Sequence, residues 1–107
     1  MSMQEVGASQ FKSAIERQGV ALVEFGAPWC APCKQLKPIL TYLDECYGDR
    51  ISILQVDCDE SPEIAGQYGV MSMPTVVIFK DGVAVDKLVG LRPPVVYQTI
   101  IDRELGA

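Results

Sequence analysis

The chain has no histidine among its 107 residues. Histidine is the commonest metal ligand, and its ordinary pKa lies nearest to neutral pH, so its absence removes the usual general base and the usual zinc ligand. Acid–base chemistry must therefore come from carboxylates, thiols or lysines. Aromatic side chains are also scarce, at 7% of the sequence with a single tryptophan. No stripe of them alternates with basic residues, as is typical of nucleic-acid-binding surfaces.

Long apolar runs and clusters of positive charge are missing too. No stretch approaches the ~20 apolar residues that a transmembrane helix needs, and the opening residues MSMQE lack the basic and apolar regions of a secretory signal. The 9 basic and 14 acidic residues are spread along the chain and give a net charge of −5. We therefore expect a cytoplasmic protein that binds neither nucleic acid nor membrane.

Length and composition favour one compact domain spanning residues 1–107, because 49% of the residues are hydrophobic and can form a core. Four apolar segments are predicted as strands: 20–25, 51–56, 75–79 and 83–89. Four helices are predicted: one that ends at Gly19, one after Cys33, one from Pro62 to Gly69, and one that begins at Pro93-Pro94. Strands and helices alternate at first and a hairpin follows, which predicts an α/β fold with a mixed sheet flanked by helices on both faces.

The most informative motif is a pair of cysteines, Cys30 and Cys33, at a predicted junction between a strand and a helix. Backbone N–H groups and the positive end of the helix dipole favour the thiolate there, so the pKa of Cys30 should fall. The thiolate is the nucleophile in disulfide exchange. Cys30 is therefore predicted to attack a substrate disulfide, and Cys33, one helical turn further on, to resolve the mixed disulfide.

Half of a zinc site is the alternative interpretation of this motif. Such a site would need a second cysteine pair or histidines, whereas Cys46 and Cys58 are single and far apart in the sequence. We expect neither metal nor cofactor. Cys46 is interpreted as an ordinary thiol on a helix face. Cys58 is expected to be inert, because Asp57 and Asp59 on either side disfavour its thiolate.

The segment WCAPCK at residues 29–34, with Val23-Glu24-Phe25 before it and Pro38 after it, resembles the active-site segment of the thioredoxin family. Four further segments match the family pattern in the same order: Tyr68-Gly69-Val70, Met73-Pro74-Thr75, Phe79-Lys80-Asp81-Gly82 and Gly90. The resemblance covers almost the whole chain. It implies the thioredoxin fold, reduction of disulfides in client proteins, and recharging of the Cys30–Cys33 disulfide by a thioredoxin reductase. A monomer is expected.

The same resemblance implies roles for residues around the cysteines. Ala31 and Pro32 form the turn of the motif, and the peptide between Met73 and Pro74 is expected to be cis. A substrate-docking patch is implied at Trp29, Val70, Met71, Met73, Pro74 and Gly90. Glu24 occupies the place of the family's buried acid, which takes the proton from the second cysteine. Because Glu24 interrupts an apolar strand, its burial should raise its pKa.

Four positions depart from the family pattern: Glu24 replaces aspartate, Gly26 an aromatic residue, Ala31 glycine, and Gln55 a lysine near the buried acid. None of these changes removes a reacting atom. Three other functions stay open at this point: a disulfide oxidase or isomerase, a binding module that does not use its thiols, and a zinc or iron–sulfur module. The acidic turn of Asp57, Asp59 and Glu60 is interpreted as solvated.

Overall fold

The computed structural model describes residues 3–17 and 19–106. Five strands form one sheet in the order β1-β3-β2-β4-β5. Strands β1, β3 and β2 run parallel to one another, and β4 runs antiparallel to both of its neighbours, β2 and β5. The strands are β1 (Met3–Glu5), β2 (Val20–Gly26), β3 (Ile51–Asp57), β4 (Thr75–Lys80) and β5 (Val83–Val89). The helices are α1 (Ala8–Ile15), α2 (Ala31–Tyr47), α3 (Pro62–Gln67) and α4 (Pro94–Glu104), with a short 3-10 turn at Gly48–Arg50.

The predicted mixed α/β sheet is confirmed, with two corrections. Strand β1 was not predicted, because its three residues are half-buried or exposed and carry no run of apolar residues. Helix α1 ends at Ile15, four residues before the predicted stop at Gly19. Gly19 instead begins the approach to β2, and its φ of 112° suits a residue without a side chain.

Helices cover both faces of the sheet, as predicted. On one face, α2 and α4 pack against Leu22, Ile53 and Ile78, and Tyr97 of α4 is fully buried there. On the other face, α1 and α3 pack against Val23 and Phe25. Strand β2 lies in the middle of the sheet between β3 and β4, and all seven of its residues are buried.

The second face is held by aromatic rings. Phe11, Phe25, Tyr68 and Phe79 stand with ring centroids 5.4 to 6.4 Å apart in tilted and edge-on pairs, the arrangement that aromatic quadrupoles favour. Because successive side chains of a strand point to opposite faces, this cluster takes the odd-numbered residues of β2. The even-numbered residues, Glu24 among them, face α2. Within the described residues, no helix is long and apolar enough to cross a membrane.

Candidate active site

The two cysteines lie at the start of α2, just beyond the end of β2. Cys30 is the residue that caps the helix, and its Sγ accepts a hydrogen bond from the backbone N–H of Cys33 at 3.3 Å. The two residues are joined as a disulfide with their Cα atoms 5.3 Å apart, within the usual range for such bonds. Each is only 5% exposed. The sequence prediction that this pair sits where a strand gives way to a helix is confirmed.

Glu24 lies in the middle of β2 on the face that α2 covers, and it is 4% exposed. Gln55 pairs with it across the parallel strands β2 and β3, and the Gln55 side-chain amide donates a hydrogen bond to Glu24 Oε1 at 3.0 Å. Burial raises the pKa of the Glu24 carboxyl; the Gln55 hydrogen bond and the positive charge of Lys37 oppose this rise less strongly. The predicted direction of the pKa shift is therefore confirmed.

A cleft of about 330 Å³ opens beside Glu24 and Cys33, which are both buried. Glu24, Gly26 and Cys33 contribute to its wall, together with the exposed side chains of Lys34 and Lys37. The cleft joins the buried carboxyl to the surface of the molecule. Neither lysine was singled out from the sequence, because only the fold shows that α2 turns them toward the cleft.

The residues of the implied docking patch gather at the same end of the sheet as the cysteines. Thr75 at the start of β4 pairs both with Phe25 near the end of β2 and with Val89 at the end of β5. The backbone N–H of Gly90 donates to the carbonyl of Pro74 at 2.8 Å, and the Met73–Pro74 peptide is cis.

These residues differ in exposure. Met71 is 94% exposed and Trp29 is 65% exposed, whereas Val70, Met73 and Gly90 are half-buried and Pro74 is buried. Trp29 is therefore not an ordinary core residue. Large apolar side chains that face water next to a reactive pair form a surface on which another chain can dock.

The acidic turn is exposed at Asp59 and Glu60, as expected. Asp59 also has a partner that was not predicted: its carboxylate Oδ2 accepts a hydrogen bond of 2.6 Å from the indole Nε1 of Trp29. Asp57 accepts backbone N–H groups from Asp59 and Glu60 at 2.9 and 3.3 Å, the ordinary role of aspartate in a turn. The Asp59 contact joins residues far apart in the sequence, and no local pattern indicates it.

The other two cysteines are free. Cys46 is exposed and Cys58 is half-buried. Burial, and then the charges of Asp57 and Asp59, raise the pKa of the Cys58 thiol. The expectation that the thiolate is disfavoured at Cys58 is confirmed.

Known proteins share this arrangement over most of their length. The thioredoxin family model matches residues 2–102. Thioredoxin of Bacillus subtilis is 45% identical over 93 residues, which cover 87% of this chain and 89% of that protein. Thioredoxin of Staphylococcus epidermidis is 45% identical over 105 residues, or 98% of this chain and 100% of that protein.

Solved structures agree with this result. A mutant thioredoxin from Halobacterium salinarum superposes with a TM-score of 0.89 at 30% identity, covering 97% of this chain and 91% of that one. Oxidised mitochondrial thioredoxin 3 from Saccharomyces cerevisiae superposes with a TM-score of 0.85 at 32% identity, covering 94% of both chains. The thioredoxin fold predicted by resemblance is thus confirmed. The chain belongs to the thioredoxin family and is a thiol–disulfide oxidoreductase that reduces protein disulfides.

Proposed function

We propose that this protein acts in the cytoplasm as a monomeric, single-domain reductant of client proteins, and that a thioredoxin reductase returns its disulfide to the dithiol. In each cycle the two thiols of Cys30 and Cys33 give two electrons and two protons to a client disulfide and become a disulfide themselves. The observation that carries the proposal is the position of Cys30 as the capping residue of α2.

Cys30 is the attacking thiol in this proposal. Its sulfur lies against the backbone N–H of Cys33, at the positive end of a helix of 17 residues. Both features stabilise a negative charge on the sulfur. A thiolate at this position attacks a client disulfide and forms a mixed disulfide.

Cys33 is the resolving thiol, and Glu24 is the group that takes its proton. Cys33 lies within the first turn of α2 and lines the same cleft as Glu24. A carboxyl whose pKa is raised by burial exchanges protons near working pH more readily than an ordinary carboxylate. The cleft offers the proton a path to solvent.

The surface beside the cysteines, on which the side chains of Trp29 and Met71 are exposed, positions the client. We assign this role to six residues whose side chains or backbone lie at the active-site end of the sheet: Trp29, Val70, Met71, Met73, Pro74 and Gly90. An extended client segment can pair with exposed backbone while its side chains contact the apolar surface. Because these contacts depend on the extended shape of the client segment and not on its particular side chains, we expect clients of varied sequence.

Trapping of the mixed disulfide tests the assignment of the two thiols. The Cys33→Ser variant should accumulate a covalent complex with its substrate on non-reducing gels, and its activity toward insulin should fall. The Cys30→Ser variant should form no such complex. The reverse pattern would overturn the assignment. Changing both residues to serine is the control: a protein that works only as a binding module would keep its function.

Turnover tests the direction of the reaction. Insulin should be reduced continuously when NADPH and a thioredoxin reductase are supplied, and the redox potential should be strongly reducing. An oxidising potential would instead favour the disulfide oxidase or isomerase. Cell fractionation and size-exclusion chromatography test the cytoplasmic location and the monomer.

A further inference from the structure

Gly26, the last residue of β2, faces the two reacting groups. It lies two positions after Glu24, so the two residues are on the same face of the strand. A Cβ atom at Gly26 would lie 2.6 Å from Glu24 Oε2 and 2.9 Å from Cys33 Sγ. Both distances are shorter than real Cβ contacts allow. The space that a side chain would fill is already taken by the carboxyl of Glu24 and the sulfur of Cys33.

Backbone geometry does not explain this glycine. Gly26 is not among the glycines with positive φ, and it is paired in register with Asp57 as an ordinary strand residue. Any residue can adopt an extended backbone of this kind. The feature specific to Gly26 is therefore the absence of a Cβ at the point where Glu24 and Cys33 meet.

The two carboxylate oxygens of Glu24 have different surroundings. Oε1 accepts the hydrogen bond from Gln55, whereas Oε2 is the atom that lies over Gly26. Since Oε2 and Cys33 Sγ both lie close to the position that a Cβ of residue 26 would take, they are no further apart than the sum of those two distances. Gln55 holds one oxygen, and the other lies close to the position of the missing Cβ, as the Cys33 sulfur also does.

We propose that Gly26 is a positioning residue for the resolving step: its missing side chain admits the carboxyl of Glu24 to the Cys33 sulfur, so positions 24 and 26 act as a matched pair. Glutamate is one methylene longer than aspartate and needs this space to lie over the strand end. The inference rests on the role proposed above for Glu24 and adds the reason why a glutamate can serve there.

The chemical step is balanced within the site and the client. The proton of the Cys33 thiol passes to Glu24 Oε2, and the Cys33 sulfur forms a bond to Cys30 Sγ. The bond between Cys30 and the client sulfur breaks, and its electron pair leaves with the client thiolate, which takes up a proton from solvent. Gly26 takes no part in bond formation; it determines where the accepting oxygen stands.

A double-mutant cycle tests the pairing of the two positions. Gly26→Ala forces Oε2, the mobile end of the Glu24 side chain, away from Cys33. The single-turnover rate of insulin reduction should fall about tenfold, part of the 10²–10⁴ that a general base supplies. In the Glu24→Asp background the shorter carboxyl leaves this space and only the contact of the new methyl with Cys33 remains, so Gly26→Ala should slow the rate several-fold less than it does beside Glu24.

Two readouts separate positioning from a general structural effect. The pH at which the single-turnover rate reaches half its maximum should shift with Gly26→Ala and should not shift with Gly66→Ala, the matched control whose added Cβ meets nothing within 4 Å. The attack by Cys30, measured in the Cys33→Ser background, should keep its rate. If Gly26→Ala alone does not fold, the double variant with Glu24→Asp should fold, as circular dichroism would show.

Three results would overturn the inference, and they differ from failure of the proposed role of Glu24. Equal slowing by Gly26→Ala in both backgrounds would mean that the added methyl acts on Cys33 directly. An unchanged rate would mean that the missing side chain does not determine where Oε2 stands. A double variant that does not fold would mean that the contact with Cys33, and not the one with Glu24, excludes a side chain at position 26. An unchanged rate in Glu24→Gln would instead remove Glu24 from the mechanism.

Discussion

The two faces of β2 are equally buried but differ in what they bury. The odd-numbered Val23 and Phe25 enter a wholly apolar layer with the rings of Phe11, Tyr68 and Phe79. The even-numbered side begins with Val20 and Leu22 in the other core and then buries Glu24. One face of the strand thus contributes apolar packing throughout. At the last two positions of the other face, Glu24 and Gly26, a buried carboxyl and a missing side chain beside Cys33 take the place of apolar packing. The difference teaches that stability and chemistry can be assigned to alternate residues of one strand.

Removing a ring from the aromatic face should have the largest effect on stability. Phe79 is fully buried, and its ring centroid lies 5.4 Å from that of Tyr68. Phe79→Ala should lower the free energy of unfolding by about 3–5 kcal/mol, measured by denaturant unfolding. The activity of the molecules that remain folded should be unchanged, because neither Cys30 nor Cys33 belongs to this cluster. Phe79→Leu is the milder control, at about 1 kcal/mol; equal losses from both would contradict the packing argument.

On the opposite face, replacing the buried acid should stabilise the fold. The pKa of Glu24 is raised in the folded state by burial, so the unfolded chain loses this proton first as pH rises. Stability then falls between the unfolded pKa and the folded pKa, and the full penalty remains above the folded one. Glu24→Gln removes the penalty, so its stability gain should be larger at alkaline than at acid pH while disulfide exchange slows.

Denaturant melts of the oxidised protein at several pH values check this prediction. Glu45→Gln, at an exposed position of α2, is the matched control for the change of charge. A gain that does not vary with pH, or a loss of stability, would show that the Glu24 carboxyl is effectively solvated or paired. The two faces of β2 would then not differ in the energetic cost of burying their side chains.

A smaller effect is expected at the surface, where neither face of the sheet is involved. Met71 is 94% exposed, so Met71→Ala should leave stability unchanged. It should slow reduction of a protein disulfide by up to about tenfold, or ~1.4 kcal/mol, because client contacts are lost. Reduction of a small aromatic disulfide should keep its rate. Val83→Ala, exposed at the far end of the sheet, is the control; equal effects of the two changes would argue against a docking patch.

The smallest effect concerns the contact between Trp29 and Asp59. Asp59→Ala removes the acceptor of the indole hydrogen bond, with a net cost of about 1 kcal/mol or less. Trp29 is the only tryptophan of the chain, so its fluorescence reports the change directly. Asp59→Asn keeps an acceptor oxygen and should give an intermediate spectrum. Identical spectra for all three proteins would mean that Asp59 does not hold the ring.

The success of sequence reasoning here follows from how local each signal is. The cysteine pair at the start of a helix, the burial of Glu24 and the hairpin at Asp81-Gly82 depend on neighbouring residues, and each was predictable. Strand β1 was missed because only one of its three residues, Met3, is apolar, which is too short a pattern to indicate a strand. The contact of Asp59 with Trp29 and the crowding around Gly26 arise only when distant segments meet. The sequence showed that Gly26 is unusual, but the reason for it is a distance in space.

The burial of Glu24 has a further consequence for how this protein can be measured. With no histidine in the sequence, no imidazole takes up or releases protons around neutral pH when the disulfide opens and closes. The number of protons exchanged with the buffer during reduction therefore reports mainly on the two thiols and the carboxyl beside them. Calorimetry in buffers of different ionisation enthalpy would give this proton inventory without any label, and would make this small chain a convenient system for counting protons against electrons.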